Sequence, residues 1–111
     1  MARLGLAYSD VSALNPRIIY VGVFGFGQRG PYASRPAYDD LIQGAVGLPM
    51  LGLMSGGGAP RYAPVVMADR IVGLNAVNAV SAALYHRERT GKGQAIEIPM
   101  FETMEIGRAH V

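Results

Sequence analysis

The chain contains no cysteine, which removes disulfides, thiolate metal sites and a cysteine nucleophile together. Histidine is nearly as scarce. His86 and His110 are its only two copies, too few and too late in the chain for a histidine metal cluster. Charge is thin as well: 16% of residues are charged, the formal net charge is +2, and no run of Lys or Arg could follow a phosphate backbone. Nucleic acid is therefore not an expected partner. The first residues, Met1-Ala-Arg-Leu-Gly5, lack the charged-then-apolar profile of a signal peptide. No apolar stretch is long enough to span a bilayer, because the longest helical candidate carries Asp69, Arg70, Asn75 and Asn78. These deficits predict a soluble cytoplasmic protein with no membrane partner and no metal.

What is present suits a packed fold. Half of the 111 residues are hydrophobic, a globular composition, and the length is that of one small domain or part of a larger one. Residues 9–14 suggest a short helix stopped by Asn15-Pro16, since a residue before proline avoids the helical region. Residues 17–24, Arg-Ile-Ile-Tyr-Val-Gly-Val-Phe, read as a strand buried on both faces, as in a parallel sheet. Residues 25–36 read as loop, 38–53 as a helix weakened by Gly44, Gly47 and Pro49, and 55–60 as a turn. The strongest helix is expected over 67–89, with Ile71, Leu74, Val77, Ser81 and Leu84 on one face. Arg87, Arg89 and Lys92 with Gly91 supply its stop chemistry. Residues 94–98 alternate as a strand, and a last helix begins near Met100. The fold class is α/β. With so few strands it would be incomplete, because a doubly buried strand needs neighbours.

Three patterns could carry chemistry. Gly25-Phe-Gly27-Gln-Arg-Gly30 has the spacing of a dinucleotide fingerprint, but Pro31 and Pro36 stand where the required helix should run. A glycine-rich turn leaving a strand end is the simpler reading. Glu97 and Glu102 show no evident partner. Asp69, at the start of the long helix, admits two readings. It could cap the free N–H groups. It could also be a nucleophilic carboxylate, with the helix terminus favouring the anion and apolar neighbours shielding a reactive anhydride.

Asn15-Pro-Arg-Ile-Ile-Tyr20, Gly25-Phe-Gly-Gln-Arg-Gly-Pro-Tyr32, Arg35-Pro-Ala-Tyr-Asp39, Ala68-Asp69 and His86-Arg-Glu-Arg-Thr-Gly-Lys-Gly-Gln94 occur in this order. Together they resemble the middle of class III CoA-transferases, the group with formyl-CoA transferase and carnitine CoA-transferase. The resemblance covers nearly all of residues 3–104. It implies part of a Rossmann-like large domain and a mechanism in which Asp69 forms an aspartyl anhydride and then an aspartyl-CoA thioester. Coenzyme A enters as substrate in acyl-CoA, alongside a carboxylic acid, with no permanently bound cofactor. The resemblance also implies CoA contacts at Arg3, Pro36, Ala37, Tyr38 and Asp39, and an interlocked homodimer for the full-length parent. The family often has Gly where this chain has Ala37, and sometimes Lys where it has Pro36.

α-Methylacyl-CoA racemases look similar through Tyr62-Ala-Pro and Ala68-Asp69. They need a His followed by Asp where this chain has Tyr38-Asp39, and tyrosine, with a reference pKa of about 10, is a poor base near neutrality. Transfer is therefore favoured over racemisation. A third expectation is that the 111 residues alone are an inactive fragment. Glu105-Ile-Gly-Arg-Ala-His-Val111 reads as the translation of a common sequencing adapter. This divides the chain into a CoA-transferase segment, 1–104, and a foreign tail, 105–111. His110 is accordingly excluded from any site.

Overall fold

The structure, a computed structural model, describes residues 1–105. His110 and all of the suggested adapter tail except Glu105 lie outside the described residues. A short 3-10 turn at Ala2–Leu4 precedes α1 (Tyr8–Leu14), β1 (Ile19–Phe24), α2 (Asp39–Ala45), α3 (Leu48–Met54), α4 (Met67–Thr90), β2 (Gln94–Pro99) and α5 (Met100–Glu105). The expected order of strand, loop, helices, strand and helix is present. The single helix expected over 38–53 is two: Gly47 adopts φ 73°, a left-handed conformation that breaks the helical path and opens α3 with Pro49 in its first turn.

β1 and β2 pair in parallel, from Ile19 opposite Gln94 to Phe24 opposite Pro99. A parallel pair needs a long crossover between its strands, and here that crossover contains α2, α3 and α4. Gly93 makes the start of the pairing possible, because a Cβ there would overlap the Ile18 carbonyl. The expectation that β1 is buried on both faces is not met. Ile19 to Gly22 are half-buried, while Val23 and Phe24 are exposed, because the described sheet has only two strands and little beyond α4 packs on it.

The core is small: Ile42, Val46 and Ala68 pack with Phe26, Ala37, Leu48, Met100, Phe101 and Met104. Burying Ile42 completely contributes about 2 kcal/mol from its apolar area. Helix α4 turns Ala68, Val72 and Ala83 inward. The stripe of Ile71, Leu74, Val77 and Leu84 faces out, with Leu74 67% and Val77 62% exposed and Ile71 and Leu84 open as well. Ala68 packs against Ile42 and Val46 of the core, and the large residues of the outer stripe remain uncovered. The radius of gyration is 17.0 Å, whereas a closed domain of this length has about 13 Å. The chain is thus an open α/β layer with an uncovered apolar stripe along its longest helix.

Candidate functional site

Asp69 occupies the third position of α4, not its cap. Val66 is the N-cap residue and makes no side-chain cap bond. The cap comes from another helix. The Asp69 N–H donates to Oδ1 of Asp39, at the start of α2, over 3.0 Å. The reading of Asp69 as a helix cap is therefore corrected: Asp69 receives a cap, and no hydrogen bond engages its own carboxylate among the described residues.

Asp39 is held in turn. The side chain of Gln43, one turn along α2, donates through Nε2 to Asp39 Oδ2. The same nitrogen donates to the Val65 carbonyl at 3.3 Å, and Gln43 Oε1 accepts from the Ala63 N–H at 2.8 Å. Gln43 is 1% exposed, so its three partners meet the need of a buried amide for hydrogen bonds.

These residues frame an open cleft of about 540 Å³, lined by Tyr38, Asp39, Gln43, Tyr62, Val65 and Asp69 among others. Tyr62 to Val66 form the apolar part of its lining, and Asp69 is exposed. The donors expected for an oxyanion at the helix start are mostly engaged. Met67 N–H donates to Val65 O at 2.8 Å and Arg70 N–H to Val66 O at 3.1 Å, while Asp69 N–H serves Asp39.

A second cleft, about 530 Å³, lies between Phe26, Tyr32, Arg35, Pro36, Leu41, Ala45 and Phe101. The stretch 36–39 borders both clefts: Pro36 faces the apolar one, while Tyr38 and Asp39 face Asp69. Ala37 lines neither cleft and packs against the core. It lies so near the end of β1 that a Cβ on Gly25 would overlap its own Cβ. Arg3 sits on the exposed 3-10 turn and lines neither cleft.

The glycine motif does not form a dinucleotide site. No helix opens within it, and two of its amides already have carboxylate partners. Gly27 N–H donates to Glu102 Oε1 at 2.9 Å and Gln28 N–H to Glu97 Oε1 at 2.6 Å. Glu97 and Glu102, which appear unpartnered in the sequence, tie the loop to β2 and α5. Their distance along the chain from Gly27 hides this, and no local signal could have shown it. Gln43 was missed because two of its partners, Ala63 and Val65, lie 20 and 22 positions away; its spacing of one helical turn from Asp39 was the only local trace. Among the described residues no group of acidic or histidine side chains has the arrangement of a metal site, and no helix is long and apolar enough to cross a membrane.

The family model described as CoA-transferase family III matches residues 1–107. The chain is 40% identical over 102 residues to the acetyl-CoA:oxalate CoA-transferase of Acetobacter aceti, covering 92% of this chain and 26% of that protein. It is 41% identical over 106 residues to the succinate–glutarate CoA-transferase of Agrobacterium fabrum, covering 92% and 25%. The crystal structure of a CAIB/BAIF family protein from Brucella suis superimposes with a TM-score of 0.82 at 39% identity, over 94% of this chain and 27% of that one. The chain thus spans about a quarter of the length of these relatives.

Proposed function

The chain belongs to CoA-transferase family III, and from that premise we propose that the longer protein carrying it moves CoA from an acyl-CoA to a carboxylic acid, with Asp69 as the nucleophile. The Asp69 carboxylate attacks the thioester carbonyl, the C–S bond breaks, and CoA leaves as thiolate while a mixed anhydride forms. The thiolate attacks the aspartyl carbonyl of that anhydride, releasing the donor's carboxylate and leaving an aspartyl-CoA thioester. The acceptor carboxylate attacks this thioester and expels the thiolate, which then attacks the acceptor's acyl carbon. Acceptor-CoA departs and Asp69 is restored, with no net gain or loss of protons.

One observation carries the choice of residue. Three carboxylates line the same cleft. Hydrogen bonds occupy both oxygens of Asp39 and one oxygen of Asp40, while the Asp69 carboxylate alone stands unengaged, in the positive field of a helix of 24 residues. The similarity to named CoA-transferases supports transfer as the reaction. Tyr38 beside Asp69, in place of the His that a racemase needs, supports it further. Contacts to CoA at Pro36, Tyr38 and Asp39 are part of the same reading, as is Arg3 toward a CoA phosphate. So are a CoA contact at Ala37, a cytoplasmic location, an interlocked homodimer, an inactive state of the 111 residues alone, and the foreign origin of residues 105–111.

The test uses the longer enzyme with an acyl-CoA and an acceptor acid. Hydroxylamine added during turnover should leave a hydroxamate on Asp69, located by peptide mass spectrometry, and Asp69→Ala should abolish CoA exchange. Normal turnover by Asp69→Ala would refute the assignment. Exchange of the α-proton of a 2-methylacyl-CoA with heavy water, without any acceptor acid, would replace transfer by racemisation.

A further inference from the structure

We propose that Gln43 is a positioning residue of this site, and that it makes Asp69 rather than Asp39 the reactive carboxylate. The proposal rests on the reading of Asp69 as nucleophile and adds a residue to it. Gln43 is the only buried polar residue among the described residues, and every end of its carboxamide points toward the start of α4. Through Ala63 N–H and Val65 O it clamps the backbone that leads into Val66 and α4. Through Asp39 Oδ2 it orients a carboxylate whose other oxygen caps Asp69 N–H. One amide thus sets the approach of the loop and the height of the helix end. It also takes up Asp39, so that this carboxylate is a fixed acceptor and not a second nucleophile. A glutamine has the needed chemistry because it donates and accepts at once without charge. A buried carboxylate in its place would repel Asp39, and an apolar side chain would leave Ala63 N–H, Val65 O and Asp39 short of partners.

The experiment compares Gln43→Met and Gln43→Glu in the longer enzyme, with circular dichroism used to select conditions in which each variant is folded. Gln43→Met keeps the volume and loses the hydrogen bonds. Its kcat should fall about tenfold or more while KM for acyl-CoA changes less than about threefold, since the orientation of the nucleophile acts on the transition state and not on CoA binding. Gln43→Glu can still donate to Asp39 while its new carboxyl group is protonated. Its kcat relative to the unaltered enzyme should be highest at low pH. It should fall as pH rises and the introduced carboxyl ionises beside Asp39, in a cleft also lined by Asp40, Asp69, Tyr38 and Tyr62. A folded Gln43→Met with unchanged kcat, or a Gln43→Glu whose relative kcat does not vary with pH, would overturn the proposal. Should neither variant fold, hydrogen exchange in the unaltered enzyme decides. The Gln43 carboxamide and the Asp69 amide should both be protected, and exchange at the rate of free amides would overturn the relay. An inactive Asp69→Ala beside a fully active Gln43→Met removes this inference alone, whereas an active Asp69→Ala removes the function on which it rests.

Discussion

The Asp39 carboxylate lies 3.0 Å from the backbone nitrogen of Asp69, thirty positions further along the chain. Helix α4 is capped from α2, so the acidic residue that opens one helix closes the open end of another. The bond joins the backbone of Asp69 to the carboxylate of Asp39, so the two residues do different work in the cleft. Asp39 accepts from the backbone, and Asp69 presents a free carboxylate beside it.

Removing that cap should be felt as stability and as rate. Asp39→Ala in the longer enzyme is expected to cost about 1–2 kcal/mol in urea unfolding, the usual loss for a helix cap. It should also lower kcat more than it raises KM, because the helix start that carries Asp69 loses its anchor. An unchanged unfolding midpoint would show that the cap is not formed in solution.

The contact between Gly25 and Ala37 can be tested by a double-mutant cycle. Gly25→Ala should destabilise by about 1–3 kcal/mol, because its Cβ overlaps that of Ala37. Ala37→Gly in the same protein should restore much of the loss, giving an interaction energy of about 1 kcal/mol or more. Additive effects would mean that the two residues do not touch.

The glycine loop is held by carboxylates. Glu97→Ala and Glu102→Ala should each cost about 1 kcal/mol, and limited proteolysis should then cut within residues 25–36 at lower protease concentration. Equal resistance in both variants would argue that the Gly27 and Gln28 amides find other partners.

Ile42 is the centre of the small core. Ile42→Ala should cost about 2–5 kcal/mol, the range for deleting a buried branched side chain. The exposed stripe on α4 provides the contrast. Leu74→Gln should change the stability of the isolated 111 residues by no more than about 0.5 kcal/mol, yet destabilise the longer enzyme if the rest of that protein covers this face. Thermal melts of the two forms, measured side by side, give the comparison.

Much of the architecture was legible because the signals are local. The stop at Gly91, which adopts φ 74° and donates to Arg87 O at 2.8 Å, follows from the cationic last turn and the glycine beyond it. The strand Gln94–Pro99 follows from alternation. The break at Gly47 was weakly marked, by a glycine and a proline within a few residues. The inward face of α4 was not legible. Periodicity finds an apolar stripe, but this helix has two, and it buries the one bearing Ala68, Val72 and Ala83.

The same division runs through the site. By itself the sequence determined that Asp69 opens a long helix, that these 111 residues hold no cysteine, and that ordered motifs resemble one family of enzymes. Only the tertiary structure decided what Asp69 does at that helix start. Hydrogen bonds to Asp39, Gln43, Glu97 and Glu102 form between residues separated by 20 to 75 positions, apart from the single turn between Asp39 and Gln43. Such partners are chosen when α2, α4 and the strand pair dock, since burial then makes each unpaired amide or carboxylate costly, and no pattern within one segment records that choice.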